Sequence, residues 1–141
     1  MSFKQAVCSA FHNYANFNGR ARRSEFWYFY LFVGLGSFAI MFIATMAVLP
    51  AVTRDKMDEA MTIIGLANSC YALAVLIPML AAFIRRLHDV GKSGADLLWF
   101  FLPVLGAIKI FCWLIQDGEP RPNKYGPDPK KPTGRFKSKT K

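Results

Sequence analysis

Phe3, Ala6, Val7, Ala10, Phe11, Tyr14 and Phe17 recur at three- and four-residue steps, with Lys4, Gln5, Ser9, His12 and Asn13 on the opposite side. That is the period of one apolar face on a helix, and it predicts an amphipathic helix over residues 2–17. The segment is too polar to cross a bilayer, and it has neither the short apolar core nor the small-residue cleavage site of a secretory signal. It is expected to lie in the plane of a membrane interface.

The pattern then changes. From Phe26 to Val52 there is no charged residue, and these 27 positions would reach about 40 Å as a helix, more than the roughly 30 Å of a hydrocarbon core. Arg54, Asp55, Lys56, Asp58 and Glu59 make a short mixed-charge loop before a second uncharged run, residues 61–84. Residues 85–94 form a polar turn whose glycines suit chain reversal. A third apolar run covers 95–116 but is interrupted by Asp96, Pro103, Gly106 and Lys109. A full span is the expectation there, with a re-entrant hairpin as the alternative. After Gln116 proline and charge dominate, a composition that cannot support a packed core, so an extended tail is expected, with residues 130–141 basic and disordered.

The fold class is therefore all-α: a polytopic helical membrane protein in which one membrane domain, residues 1–129, carries an interfacial helix and three transmembrane segments, 26–52, 61–84 and 95–116. Composition sharpens this. Of 141 residues 53% are hydrophobic, yet Lys and Arg outnumber Asp and Glu by 18 to 9. The positive charges flank the apolar runs rather than forming a separate soluble module, which favours anionic lipid headgroups over nucleic acid as what they meet. Cys8, Cys70 and Cys112 are odd in number and widely spaced, and imply neither a disulfide framework nor a zinc knuckle.

Orientation follows the Lys/Arg bias beside the spans. With three spans one side carries Lys4, Arg20, Arg22, Arg23, Arg85, Arg86 and Lys92, and the other Arg54, Lys56, Arg121, Lys124, Lys130, Lys131 and Arg135, seven against seven. The basic run Gly19–Arg23 beside the first span breaks the tie and places the N-terminus in the cytoplasm. A hairpin at 95–116 would bring the basic tail back to the same side.

Two clusters stand at membrane borders on that side: Arg20, Arg22 and Arg23 with Glu25, and Arg85 and Arg86 with His88 and Asp89. Guanidinium groups fork onto phosphate, so these eight residues are the candidates for binding a lipid headgroup or an acidic partner. The competing reading makes them topology signals and interhelical ion pairs, such as Glu25 with Arg86. Neighbouring helical residues point about 100° apart, so His88 beside Asp89 is read as structural rather than as an oriented general base. Cys8 and His12 give only two metal ligands. Lys109 is expected to snorkel to the interface, and Asn68, Ser69, Tyr71 and the small pair Gly65 and Ser69 to mark helix packing. Trp27, Tyr28, Tyr30, Trp99 and Trp113 lie where belt aromatics belong.

Three blocks carry a resemblance: residues 14–27, Tyr-Ala-Asn-Phe-Asn-Gly-Arg-Ala-Arg-Arg-Ser-Glu-Phe-Trp; the turn Arg85-Arg86-Leu87-His88-Asp89 with Gly91, Ser93 and Gly94; and residues 123–129, Asn-Lys-Tyr-Gly-Pro-Asp-Pro. In this order the chain resembles, over roughly residues 10–129, the domain-of-unknown-function 805 family, bacterial inner-membrane proteins of the YhaH and YhaI type. The resemblance implies a small multi-pass inner-membrane protein and supplies no reaction. The expected function is that of a non-enzymatic accessory or interaction protein engaging anionic lipid, a membrane partner or a second copy of itself, with no cofactor and no metal. The alternative is a small transporter or channel subunit acting as an oligomer, with Asn68, Tyr71 and Lys109 near a path.

Overall fold

The computed structural model describes residues 1–49 and 56–131. Arg54 and Asp55, positions 50–52 of the first apolar segment and residues 132–141 of the tail lie outside the described residues.

Helix α1 covers Phe3–His12, α2 Arg23–Val48 and α3 Met57–Asp89. A 3-10 helix, Gly94–Phe101, and α4, Leu105–Ile115, follow. Among the described residues the only pairing of β type is an isolated bridge between Asn123 and Gly126, so the architecture is all-α.

Ser2 starts α1 with a reciprocal cap: Gln5 N–H donates to the Ser2 hydroxyl at 3.3 Å and Ser2 N–H to Gln5 Oε1 at 2.9 Å. The helix stops at His12, short of the expected Phe17. Asparagines end it: the Asn13 amide side chain donates back to Ser9 O, Asn16 donates to Asn13 Oδ1, and Asn18 N–H donates to Asn16 Oδ1, local bonds that compete with the helical ladder. Ala6 and Ala10 of α1 are fully buried. Phe11 meets Phe29 edge-on at 5.5 Å, and Phe3 meets Tyr28 at 6.0 Å.

α2 and α3 form an antiparallel hairpin, each long and apolar enough to cross a membrane. Polar bonds pin its register. The Ser37 hydroxyl donates to Asn68 Oδ1 at 2.6 Å, and Tyr71 OH donates to Val33 O at 3.2 Å. Gly36 makes room for that tyrosine, since a Cβ there would lie 2.2 Å from its hydroxyl oxygen. Gly65, by contrast, faces open space, so the close approach of the two helices uses Gly36 and not the expected pair Gly65 and Ser69. Pro78 lies inside α3 and lacks the N–H that would bond Ala74 O. The Tyr14 hydroxyl donates to that carbonyl at 2.6 Å. Large apolar side chains point outward: Phe38, Ile43, Leu66 and Leu73 are each 62–68% exposed, a surface suited to an apolar medium.

The expectation of one helix across 95–116 is corrected. Ser93 and Asp96 cap the 3-10 helix reciprocally, with Ser93 N–H donating to Asp96 Oδ2 at 2.7 Å. The chain then reverses at Val104, whose φ of 65° and ψ of −67° make a γ-turn closed by Leu105 N–H on Pro103 O at 2.8 Å. The returning α4 has 11 residues, about 16 Å of helix and roughly half a bilayer core. It packs so closely on the 3-10 helix that a Cβ at Gly106 would lie 1.7 Å from Trp99 O. Leaving α3 at Asp89 and returning at Gln116, the segment is a hairpin with both ends at the same end of α3: Glu119 N–H donates to Asp89 O at 2.8 Å. Ala10, Phe26, Phe29, Ala82, Ile110 and Leu114 join all four α-helices in one core near that end.

Candidate functional site

The chain turns into α2 through Gly19, whose φ of +87° suits glycine, and Ala21 N–H donates to Arg85 O at 3.0 Å. This fixes the Arg20 side chain over the end of α3. Arg20 Nε donates to Asp89 Oδ1 at 2.9 Å and Arg86 donates to Asp89 Oδ2 at 2.6 Å, so each carboxylate oxygen carries one guanidinium. The three side chains are 1%, 0% and 3% exposed for Arg20, Arg86 and Asp89. A carboxylate at a helix C-terminus opposes the helix dipole; here two cations offset that cost.

The arginines also gather backbone carbonyls. Arg20 donates to Arg121 O at 2.8 Å and to Glu119 O at 2.5 Å. Arg86 donates to Leu114 O at 3.2 Å and to Gln116 O, the carbonyls that the end of α4 leaves without helical partners. Gly118 passes against the carboxylate, where a Cβ would come within 2.0 Å of Asp89 Oδ2.

A second pair ties three helices. Arg85 donates to Glu25 Oε1 at 3.1 Å, and the Ser9 hydroxyl donates to the same oxygen at 3.1 Å. Arg85 Nε and its other terminal nitrogen have no partner among the described residues. His88 donates from Nδ1 to Gly19 O at 3.2 Å and stacks on Tyr125 with ring centroids 3.6 Å apart. The Asn123 side chain donates to His88 O at 2.9 Å and to Glu119 Oε2 at 2.8 Å. Residues 117–131 are thus a strap folded over the arginines, where an extended tail was expected.

Burial pushes the Asp89 carboxyl up from its ordinary range, with Arg20 and Arg86 pulling the other way, and pushes the Arg86 guanidinium down. Burial also lowers His88, helped by Lys124 and opposed by its bond to Gly19 O. At the rim, hydrogen bonds from Lys130 and Arg23 hold the exposed Asp117 carboxyl low.

Of the eight candidate residues, Arg20, Glu25, Arg85, Arg86, His88 and Asp89 are buried. Arg22 is half-buried and donates to Pro129 O. Arg23 is half-buried as well, with a side chain 40% exposed at the rim. The two clusters do meet, as neighbouring helix ends should, but the expected pair Glu25–Arg86 is corrected to Glu25–Arg85. Consecutive residues on α3 point about 100° apart, so one arginine faces α2 and the other faces α4. Lys109, expected to snorkel, lies 3.4 Å from the Trp99 ring centroid. Asn68 and Tyr71 bond to α2. Among the described residues no group of three or more His, Cys, Asp or Glu side chains is placed to hold a metal ion.

Asn123 and Tyr125 belong to this machinery and do not stand out in the sequence as site residues, because their partners are a backbone carbonyl, a carboxylate and a ring, two of them distant along the chain. Asp96 carried a readable signal, Ser-x-x-Asp before an apolar run, which marks a helix start.

The family model described as "Protein of unknown function (DUF805)" matches residues 14–127, a stretch that contains the arginine network and the strap up to Pro127. Inner membrane protein YhaI of Escherichia coli (strain K12) is 36% identical over 130 residues, covering 89% of this chain and 96% of that protein. Inner membrane protein YhaH of the same organism is 33% identical over 118 residues, covering 84% of this chain and 90% of that protein. No solved structure matches. With a family model spanning most of its length and two full-length inner-membrane relatives, the chain belongs to the DUF805 family of proteins of unknown function.

Proposed function

We propose that this chain is a multi-pass inner-membrane protein with both ends of the described chain on the cytoplasmic face. In this reading α2 and the part of α3 up to Ile84 cross the bilayer, α1 packs against both on their cytoplasmic half with Tyr14 reaching into the apolar layer, and the 3-10 helix with α4 enters and returns. It acts without catalysis, as an accessory or interaction protein that presents a basic cytoplasmic surface to anionic lipid or to a membrane partner.

One observation carries this reading: Arg86 holds Leu114 O and Gln116 O beside the end of α3, returning the third segment to the side it left. The charge count then stops being a tie. Arg121, Lys124, Lys130, Lys131 and Arg135 join the seven cations of the N-terminal side and leave only Arg54 and Lys56 opposite, twelve against two, as the positive-inside bias requires. Contact with anionic headgroups passes to the exposed rim, Arg23 and Lys130, while Arg20, Arg85 and Arg86 brace the fold.

Fusion of a reporter to the C-terminus tests the topology. A fluorescent protein that matures only in the cytoplasm is expected to be bright and a periplasm-dependent phosphatase silent. The reverse pattern overturns the reading.

A further inference from the structure

We infer that the groove between α2 and α4 holds one acyl chain of an anionic phospholipid, with its headgroup at Arg23 and Lys130. The inference rests on the membrane reading above and names the ligand of its basic rim.

On α2, Arg23, Phe26, Trp27 and Tyr30 follow at steps of three, one and three residues and share one face. On α4, Ala107, Phe111 and Leu114 form the facing stripe, which runs on to Asp117 just past the helix end. Between them lies an open cavity of about 400 Å³, floored by Phe83 and Phe26. Trp27 and Phe111 meet across it with ring centroids 6.2 Å apart. That volume lies within the range of small-ligand sites, about 300–1,000 Å³. The walls are almost wholly apolar and aromatic, so they suit a hydrocarbon chain and offer little to a polar solute.

Both stripes end at the same charged cluster. Arg23 and Lys130 each donate to Asp117 Oδ1 at 3.1 Å, and their side chains stay 40% and 51% exposed. Two cations around one carboxylate leave a net positive charge at the polar mouth of the groove. Both have free N–H donors there for a phosphodiester, and Arg presents them as a fork. An acyl chain anchored by an anionic headgroup matches the apolar length and the cationic mouth together. A second copy of the chain would have to offer an apolar ridge ending in an acidic group; α3 has one, Met61 and Leu66 with Asp58 and Glu59, but at the opposite end of the hairpin from Arg23, so that copy would have to insert the other way round.

The test uses the full-length protein in mild detergent, titrated with phosphatidylglycerol or with phosphatidylethanolamine and read by native mass spectrometry. Expected is a one-to-one phosphatidylglycerol adduct that survives collisional activation, with about tenfold less phosphatidylethanolamine adduct at equal concentration, a difference of about 1.4 kcal/mol. Ala107→Trp fills the groove and should remove the adduct of either lipid. Because a bulky residue there could disturb folding, the exposed double variant Arg23→Glu/Lys130→Glu is the second arm, and it should erase the preference for phosphatidylglycerol. Lys4→Glu, which changes the same net charge sign on α1, should leave the adduct unchanged. An equal adduct in Ala107→Trp that elutes as wild type, or an unchanged preference in the double variant, overturns the inference. So does a dimer that Ala107→Trp abolishes, which would give the groove to a second copy. Reporter fusions on the same variants keep the two readings apart: cytoplasmic termini without a lipid adduct sink the groove alone, and a periplasmic C-terminus sinks the topology.

Discussion

At Pro78 the α3 ladder lacks one donor, and Tyr14 supplies it from outside the helix. In an apolar medium the Ala74 carbonyl has no water to turn to, so the hydroxyl matters more than its single bond suggests. Tyr14→Phe keeps the ring and removes the donor. It should lower stability by about 1–3 kcal/mol, the cost of an acceptor left unsatisfied where no water reaches it, measured as a shift in the midpoint of unfolding by sodium dodecyl sulfate. Asp89 is a sharper case. Asp89→Asn leaves Arg20 and Arg86 facing each other with no countercharge and should cost about 3–5 kcal/mol, whereas Arg23→Ala, which breaks an exposed pair, should cost about 0–1 kcal/mol. Equal losses in the two variants would mean that the buried network is not a brace. The sequence makes these charges visible as two clusters. Their separation into a buried set and a rim depends on which side of each helix faces a neighbour, and pairwise spacing does not encode that.

Among the elements, the third apolar segment departs most from its sequence pattern. Pro103 and Gly106 were legible as interruptions, and each has a definite role: Pro103 supplies the carbonyl that closes the γ-turn, and Gly106 lets α4 touch the 3-10 helix. Gly106→Ala would drive a methyl into Trp99 O, and a loss of about 1–3 kcal/mol is expected from such overpacking. Gly65→Ala, on a helix face with nothing within 4 Å, should instead be neutral or stabilising by up to about 1 kcal/mol. Thermal unfolding of the two single variants in detergent separates these outcomes, and a Gly106→Ala protein as stable as wild type would refute the close hairpin. The first helix was legible in its face and its start but not in its end. Asparagine side chains stop it at His12 by bonding to nearby backbone, and apolar periodicity alone runs on to Phe17.

At the scale of the molecule, the strap closes residues far apart in sequence: Gly19 and Arg20, His88 and Asp89, and Glu119 to Gly126 meet in one layer. His88 makes this layer sensitive to acid. Its folded-state pKa is lowered from the ordinary 6.5 by burial, so the folded protein favours the neutral ring. That contribution is fully present above about pH 6.5 and is lost as pH falls through the folded value. Asp89, whose folded value is raised by burial, carries a linkage of opposite sign. Limited trypsin cleavage after Lys124 should therefore speed up between about pH 7.5 and about pH 5.5, after correction for the protease's own pH dependence, and His88→Gln should flatten the change. A cleavage rate independent of pH in the wild type would dismiss His88 as the latch.

The amino-acid order by itself determined the medium and the two long helices, because uncharged runs longer than a bilayer core is thick have few other destinations. It also marked the basic residues that border them. Tertiary structure decided where the third segment returns, which arginine meets which carboxylate, and that residues 117–131 form a strap. Those outcomes rest on single guanidinium groups reaching backbone carbonyls up to about a hundred residues away. A carbonyl is present at every position, so nothing in the side-chain sequence singles out the ones that will be taken.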